Sequence, residues 1–218
     1  MDRQAHAPRG AAPRVVVVPS VHRPAPPAAT TLGVRAGVLF IGSYAHAPNV
    51  DAAMWLCETV MPLVWRAQPG LRVTLLGSNP TAVVKSLAGD RVAVPGFVAD
   101  VGPYYASHRV CVAPLLYGAG LKGKVAQALE HALPLVSTSI GIEGMDLHDE
   151  RDVLVAETAE AFARAIVRLC RDDALWLRLS AGAHACLTPL APVAVAATLD
   201  AMLQTLLQDR AAGQRVAT

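Results

Sequence analysis

From residue 38 onward, short apolar runs alternate with longer amphipathic stretches. Runs at 38–41, 72–76, 92–94, 110–115, 135–138 and 153–155 predict six strands. Stretches at 49–66, 81–87, 101–107, 122–132, 159–170, 174–185 and 193–208 predict helices. In the first of these, Ala53, Leu56, Cys57, Val60 and Val64 recur at helical spacing. The strands are apolar on both faces rather than alternating, which predicts a parallel sheet covered by helices on each side. Right-handed crossovers then make a doubly wound, Rossmann-like α/β domain. The preceding stretch is different in kind. Residues 1–37 scatter Pro8, Pro13, Pro19, Pro24, Pro26 and Pro27 among alanines and arginines, with one apolar patch at 15–18. They read as a tail or interdomain linker, and 38–210 as the domain.

Composition narrows the classes. The chain has 218 residues, 53% hydrophobic and 17% charged, long enough to bury one core and far too apolar to stay unfolded. Its net charge is +2, with five arginines against one acid in residues 1–37, so no global field favours nucleic acid. Cys57, Cys111, Cys170 and Cys186 form no CxxC pair and read as reduced core cysteines of a cytosolic protein. His108, His131, His148 and His184 stand at no ligand spacing, so no metal site is expected. No apolar run reaches the ~18 residues needed to cross a bilayer, and any membrane contact is expected to be peripheral. Asp146, Asp149, Glu150 and Asp152 read as a solvated loop. The final helix, with Val193, Leu199, Leu203, Leu206 and Leu207, is expected to pack on its own domain, a partner chain being the alternative.

In such sheets ligands bind beyond the carboxyl ends of the strands. The loops at 42–48, 77–80, 96–100, 116–124 and 139–144 lie there, four of them with glycine beside a strand end. The richest runs Tyr117-Gly118-Ala119-Gly120-Leu121-Lys122-Gly123-Lys124 and opens a helix. A helix start offers unpaired N–H groups and partial positive charge, so it attracts phosphate. Two of the three lysines of the chain are here. Lysines in a first helical turn oppose the helix dipole, a placement that makes sense with an anion among them. Gly118, Gly120 and Gly123, with Glu143 downstream, also match a dinucleotide fingerprint, although after the fourth strand rather than the first.

The stretches VLFIGSYAHAPNVDAAMWL, VTLLGSNP and DVLVAETAEAFARAIVRL, and above all GAGLKGKVAQALEHALPLVSTSIGIEGM, resemble the C-terminal, donor-binding half of retaining GT-B glycosyltransferases of the family-4, group 1 type. The resemblance covers roughly residues 38–185. It implies a Rossmann-like half of a GT-B fold that binds a UDP-, GDP- or dTDP-sugar for retaining transfer without a metal or other cofactor. It places Gly42 and His46 near the diphosphate and Phe97 and Val98 near the base. Gly118, Gly120, Lys122 and Lys124 then hold the diphosphate and Gln127 the ribose. Apart from the resemblance, the alternative to a wholly solvated acidic loop is a contact from nearby Glu143 to donor-sugar hydroxyls. Ala119 and Gln127 stand where many relatives carry two glutamates, and Ser43 and Asn49 where many carry arginine and lysine. Pro48 and Asn49 read as a helix start with Asn49 as N-cap. His46 either touches a phosphate or packs within its loop.

A preceding acceptor-binding domain, which the family uses, is not evident in the sequence. The chain is therefore expected to be half of a split enzyme, a truncated product or a sugar-nucleotide-binding module. The implied setting is polysaccharide or glycoconjugate synthesis, in the cytoplasm or at the inner membrane face. Two other readings stay open: an NAD-binding oxidoreductase domain, and a degenerate domain that binds another protein.

Overall fold

In the computed structural model, residues 16, 18, 20–25, 32–120 and 122–215 are described. Strands β1 (Val38–Ile41), β2 (Val73–Leu76), β3 (Val92–Gly96), β4 (Val110–Ala113), β5 (Leu135–Ser137) and β6 (Leu154–Val155) form one sheet in the order β3-β2-β1-β4-β5-β6. Every pairing is parallel, with Val38 opposite Val73 on one side and Val110 on the other. This is the expected doubly wound arrangement, and the order reverses between β1 and β4. β2 and β4 are buried throughout, whereas the edge strand β3 alternates.

Side chains leave each strand to opposite faces and build two cores. Val38 and Phe40 join α1 (Ala47–Met54), α2 (Met61–Ala67) and α7 (Ala159–Arg171) through Ala53, Val64, Phe162 and Ile166, with Leu56 and Val60 from the stretch between α1 and α2. Leu39 and Cys111 join α4 (Gly102–Ser107), α5 (Gly123–Glu130) and α8 (Asp173–Cys186) through Tyr105, Val125, Leu129 and Trp176. The short α3 (Ala82–Ser86) follows β2.

The structure departs from the sequence pattern in five places. The helix expected at 49–66 begins at Ala47 and widens to a π-helical stretch over Trp55–Val60. Pro62 has no N–H to return to the Glu58 carbonyl, and the Met61 N–H reaches back five residues to Leu56. Asn49 is not the N-cap; His46 holds that position. Within the loop expected at 139–144 lies α6 (Ser139–Ile142), whose Thr138 cap accepts from the Gly141 N–H at 3.2 Å. Asp152 is not solvated. It is buried, accepts from the His148 N–H at 2.9 Å and pairs with Arg151, which holds its carboxyl down at about 2.

The fifth departure is α9 (Pro192–Arg215). Val195, Leu199, Met202 and Leu206 recur at helical spacing on one face, yet Val195 is buried while Leu199, Leu203, Leu206 and Leu207 are exposed, as is Val193. By length and composition alone, Asp173–Asp209 is long and apolar enough to cross a membrane, which corrects the expectation that no such stretch exists. Its α8 portion nevertheless packs into the core through Leu175, Trp176 and Leu179. Of the patch at 15–18, Val16 and Val18 are exposed, and Val15 and Val17 lie outside the described residues. Nearer the domain, the His22 N–H donates to the Leu190 carbonyl and the Ala25 N–H to the Glu130 carbonyl.

A half-buried histidine makes the fold pH-sensitive. His108 Nδ1 donates to the Tyr104 carbonyl at 2.7 Å, and Nε2 accepts from the Thr74 hydroxyl at 2.9 Å. Burial lowers its pKa, the Tyr104 contact opposing, and burial lowers that of His131 as well. The folded state therefore binds fewer protons than the unfolded one. Stability is complete above the ordinary histidine range and falls as pH drops below about 6.5, by at most about 1.4 kcal/mol per pH unit for each group. Urea midpoints at pH 7.5 and 5.0 test this. His108→Gln should flatten the acid limb without abolishing it, and an unchanged limb would contradict the assignment.

Candidate functional site

The carboxyl ends of β1, β2 and β3 carry three turns that lie backbone against backbone. The Gly42 N–H donates to the Leu76 carbonyl and the Gly77 N–H to the Gly96 carbonyl, each at 3.0 Å. Beside them, at the reversal of strand order, the loop after β4 runs into α5. A cleft of about 380 Å³ lies between these turns and α5, lined by Gly42, Asn49, Phe97, Val98, Lys124 and Gln127, among others. An adjoining cavity of about 470 Å³ is lined by His46, Tyr117, Gly118 and Lys122, among others, and it shares Asn49, Gly123 and Lys124 with the first.

Eight of the ten expected site residues thus line these two adjoining cavities. The other two, Gly120 and Glu143, meet them through Lys122. The Lys122 ammonium donates to the Gly120 carbonyl and, at 3.3 Å, to that of Gly118; Glu143 Oε2 is 4.0 Å away. Gly118 and Gly120 have φ of 126° and 79°, backbone that glycine adopts freely, and this curls the loop around the lysine. Leu121 lies outside the described residues.

Lys122 occupies the N-cap position of α5 and makes no side-chain cap bond. The first N–H groups of α5 therefore face the cleft without a capping side chain, beside two ammonium groups. Lys124, in the first turn, donates to Asn49 Oδ1 and lies 4.7 Å from the centre of the Phe40 ring. Burial brings its pKa down to about 8; the Cys111 thiol opposes this and Lys122 adds to it. The cleft accordingly holds positive charge at the mouth of a helix, an arrangement that stabilises a polyanion such as a diphosphate.

The remaining walls differ in character. Phe97 is 74% exposed at the rim, an apolar face open to a planar group. Gln127 Oε1 lies 3.5 Å from the hydroxyl of Tyr105, itself buried and stacked on His131. His46 is exposed and lines the adjoining cavity.

Sequence reasoning missed the supports. Tyr117 donates to Asp51 on α1, bracing the glycine loop. The Thr138 hydroxyl donates to the Leu115 carbonyl at 2.6 Å, pinning the start of that loop from β5. Asn49 Nδ2 donates to the Ser43 carbonyl at 2.8 Å. Only Asn49 carried a signal, as a polar residue at a helix start, and that signal pointed to capping.

The model of the family described as glycosyl transferases group 1 matches residues 35–172, and the chain belongs to that family. An uncharacterized 44.6 kDa protein in the cps region of Klebsiella pneumoniae is 25% identical over 144 residues, 62% of this chain and 37% of that protein. The chain thus spans little more than a third of that relative. Among solved structures, S. aureus TarM with UDP, fondaparinux and α-GlcNAc-glycerol matches with a TM-score of 0.68 at 16% identity, over 87% of this chain and 37% of that one. Anabaena HepE with UDP and glucose matches at 0.61 and 17%, over 80% and 49%. The C-terminal domain of the Francisella tularensis group 1 protein LpcC matches at 0.60 and 14%, over 77% and 94%. These likenesses establish the fold as one half of a GT-B glycosyltransferase.

Proposed function

We propose that this chain is the donor-binding half of a glycosyltransferase and holds a nucleoside-diphosphate sugar, with UDP, GDP or dTDP as the carrier, in the cleft between the β1–β3 turns and α5. The observation that carries this reading is the pairing of Lys122 and Lys124 with the uncapped start of α5 at the reversal of strand order. These groups face the diphosphate and stabilise it as it leaves, electrostatic work that needs no movement during reaction. Phe97 and Val98 lie against the base, Gln127 bonds the ribose, Gly42 and His46 approach the phosphates, and Glu143 reaches toward the sugar. TarM and HepE, of the same fold, were solved with UDP.

Transfer is of a hexosyl unit, with retention at the anomeric carbon and no metal. The acceptor comes from a separate domain or chain, within polysaccharide or glycoconjugate synthesis. The relative in the cps region supports that setting. The site of action is the cytoplasm or the inner membrane face.

Thermal unfolding in the presence of UDP, GDP, dTDP and NAD tests the ligand class. One nucleoside diphosphate at a hundred times its Kd should add about 2.7 kcal/mol, raising Tm by roughly 5–10 °C. A shift with NAD alone, or with none of the four, would overturn the reading.

A further inference from the structure

Asn49 sits in the first turn of α1, yet its side chain serves the cleft rather than the helix. Nδ2 donates to the Ser43 carbonyl in the turn after β1, and Oδ1 accepts from the Lys124 ammonium on α5. The fit is close: a Cβ on Gly42 would stand 2.8 Å from Asn49 Cγ. One amide thus ties together the two chain segments that face the cleft from opposite sides of the sheet reversal. The groups facing the ammonium are the Phe40 ring from β1, Cys111 from β4, Lys122 from the α5 start and Asn49 from α1. Burial pushes the Cys111 thiol up to about 12, so it stays neutral at physiological pH, and Lys122 repels. An aspartate at position 49 would also accept from the ammonium, but it would cancel its charge and give up the bond to the Ser43 carbonyl. The amide holds it and leaves the charge free.

We propose that Asn49 is a positioning residue: its neutral amide orients the Lys124 ammonium into the cleft and keeps it uncompensated, so that the donor phosphates meet a full positive charge. This rests on the reading of the cleft as a nucleoside-diphosphate site.

Two variants separate the parts of the proposal. Asn49→Leu removes the acceptor, so Lys124 loses its proton at lower pH. Asn49→Asp keeps the size, gives up the bond to the Ser43 carbonyl and adds a carboxylate, so Lys124 loses its proton at higher pH. With only three lysines in the chain, carbon NMR of labelled lysine follows Lys124 directly in the ligand-free protein. The expected result is opposite movement of its midpoint, down in Asn49→Leu and up in Asn49→Asp, in proteins that both still melt cooperatively. UDP, GDP and dTDP are then titrated between pH 7 and 9.5. The best of them should bind wild type less tightly above about pH 8, by up to ~tenfold per pH unit. Asn49→Leu should begin that decline at lower pH, and Asn49→Asp should bind roughly tenfold or more weakly even at pH 7. Lys124 midpoints unmoved in both folded variants would overturn the proposal, as would an Asn49→Asp protein that binds as tightly as wild type. If wild type binds no nucleoside diphosphate, the reading of the cleft falls, and the lysine midpoints alone decide whether Asn49 holds Lys124.

Discussion

Gly77→Ala is expected to cost roughly 4 kcal/mol or more of folding stability, a loss in the exceptional range for one methyl group. The reason is geometric. A Cβ at Gly77 would lie 1.7 Å from the Gly42 carbonyl oxygen and 2.7 Å from its carbon. Both neighbours are backbone, so no flexible side chain can turn aside. The Gly77 φ of 147° adds strain that alanine rarely accepts. Relief would require the turns after β1 and β2 to separate, which breaks the bonds from the Gly42 N–H to the Leu76 carbonyl and from the Tyr44 N–H to the Ser78 carbonyl. Those turns form one wall of the cleft, so ligand binding should be lost together with stability. Gly182→Ala is the internal control. Gly182 lies within α8, where an added methyl group would meet no neighbour within 4 Å, and alanine there should be neutral or stabilising by up to about 1 kcal/mol. Urea unfolding of both variants gives the comparison. A Gly77→Ala midpoint close to that of wild type would refute the close-approach argument.

The strands were legible because a strand buried on both faces has nothing to alternate: VLFI, VTLL and VCVA carry their position in their composition. The parallel order followed from chain connectivity. The glycine-and-lysine loop was legible for a related reason, since Gly118, Gly120, Lys122 and Lys124 are residue types with few other uses at a strand-to-helix junction. What escaped were interactions between residues distant in sequence. Asn49 looked like a cap because a cap is a local device, whereas its partner Lys124 lies 75 positions away. Thr138 and Tyr117 likewise act on other elements. Asp152 read as solvent-facing because the neighbouring acids hid its contact with Arg151 and the His148 N–H. The π-helical turn needed the loss of the Pro62 N–H to be weighed against a periodicity that otherwise looked regular. The final helix misled because apolar content says how much surface seeks cover, not where that cover is.

Lys122→Ala/Lys124→Ala should abolish donor binding while leaving the fold in place. Each lysine offers the diphosphate a charge-assisted hydrogen bond worth about 1.5–3 kcal/mol, so losing both should weaken binding by roughly 10²–10⁴-fold. The α5 start alone, with its unpaired N–H groups, retains only a small part of the attraction. Folding should change far less. Among the described residues Lys122 bonds loop carbonyls and lies near Glu143; removing Lys124 gives up its bond to Asn49 but relieves the cost of burying an ammonium beside Lys122. The most direct measurement is therefore calorimetric titration of UDP, GDP and dTDP into wild type and this double variant at pH 7, with unfolding curves for both. The account predicts that one nucleoside diphosphate binds wild type and that its binding disappears in an equally folded variant. Equal affinity in the two proteins would contradict it.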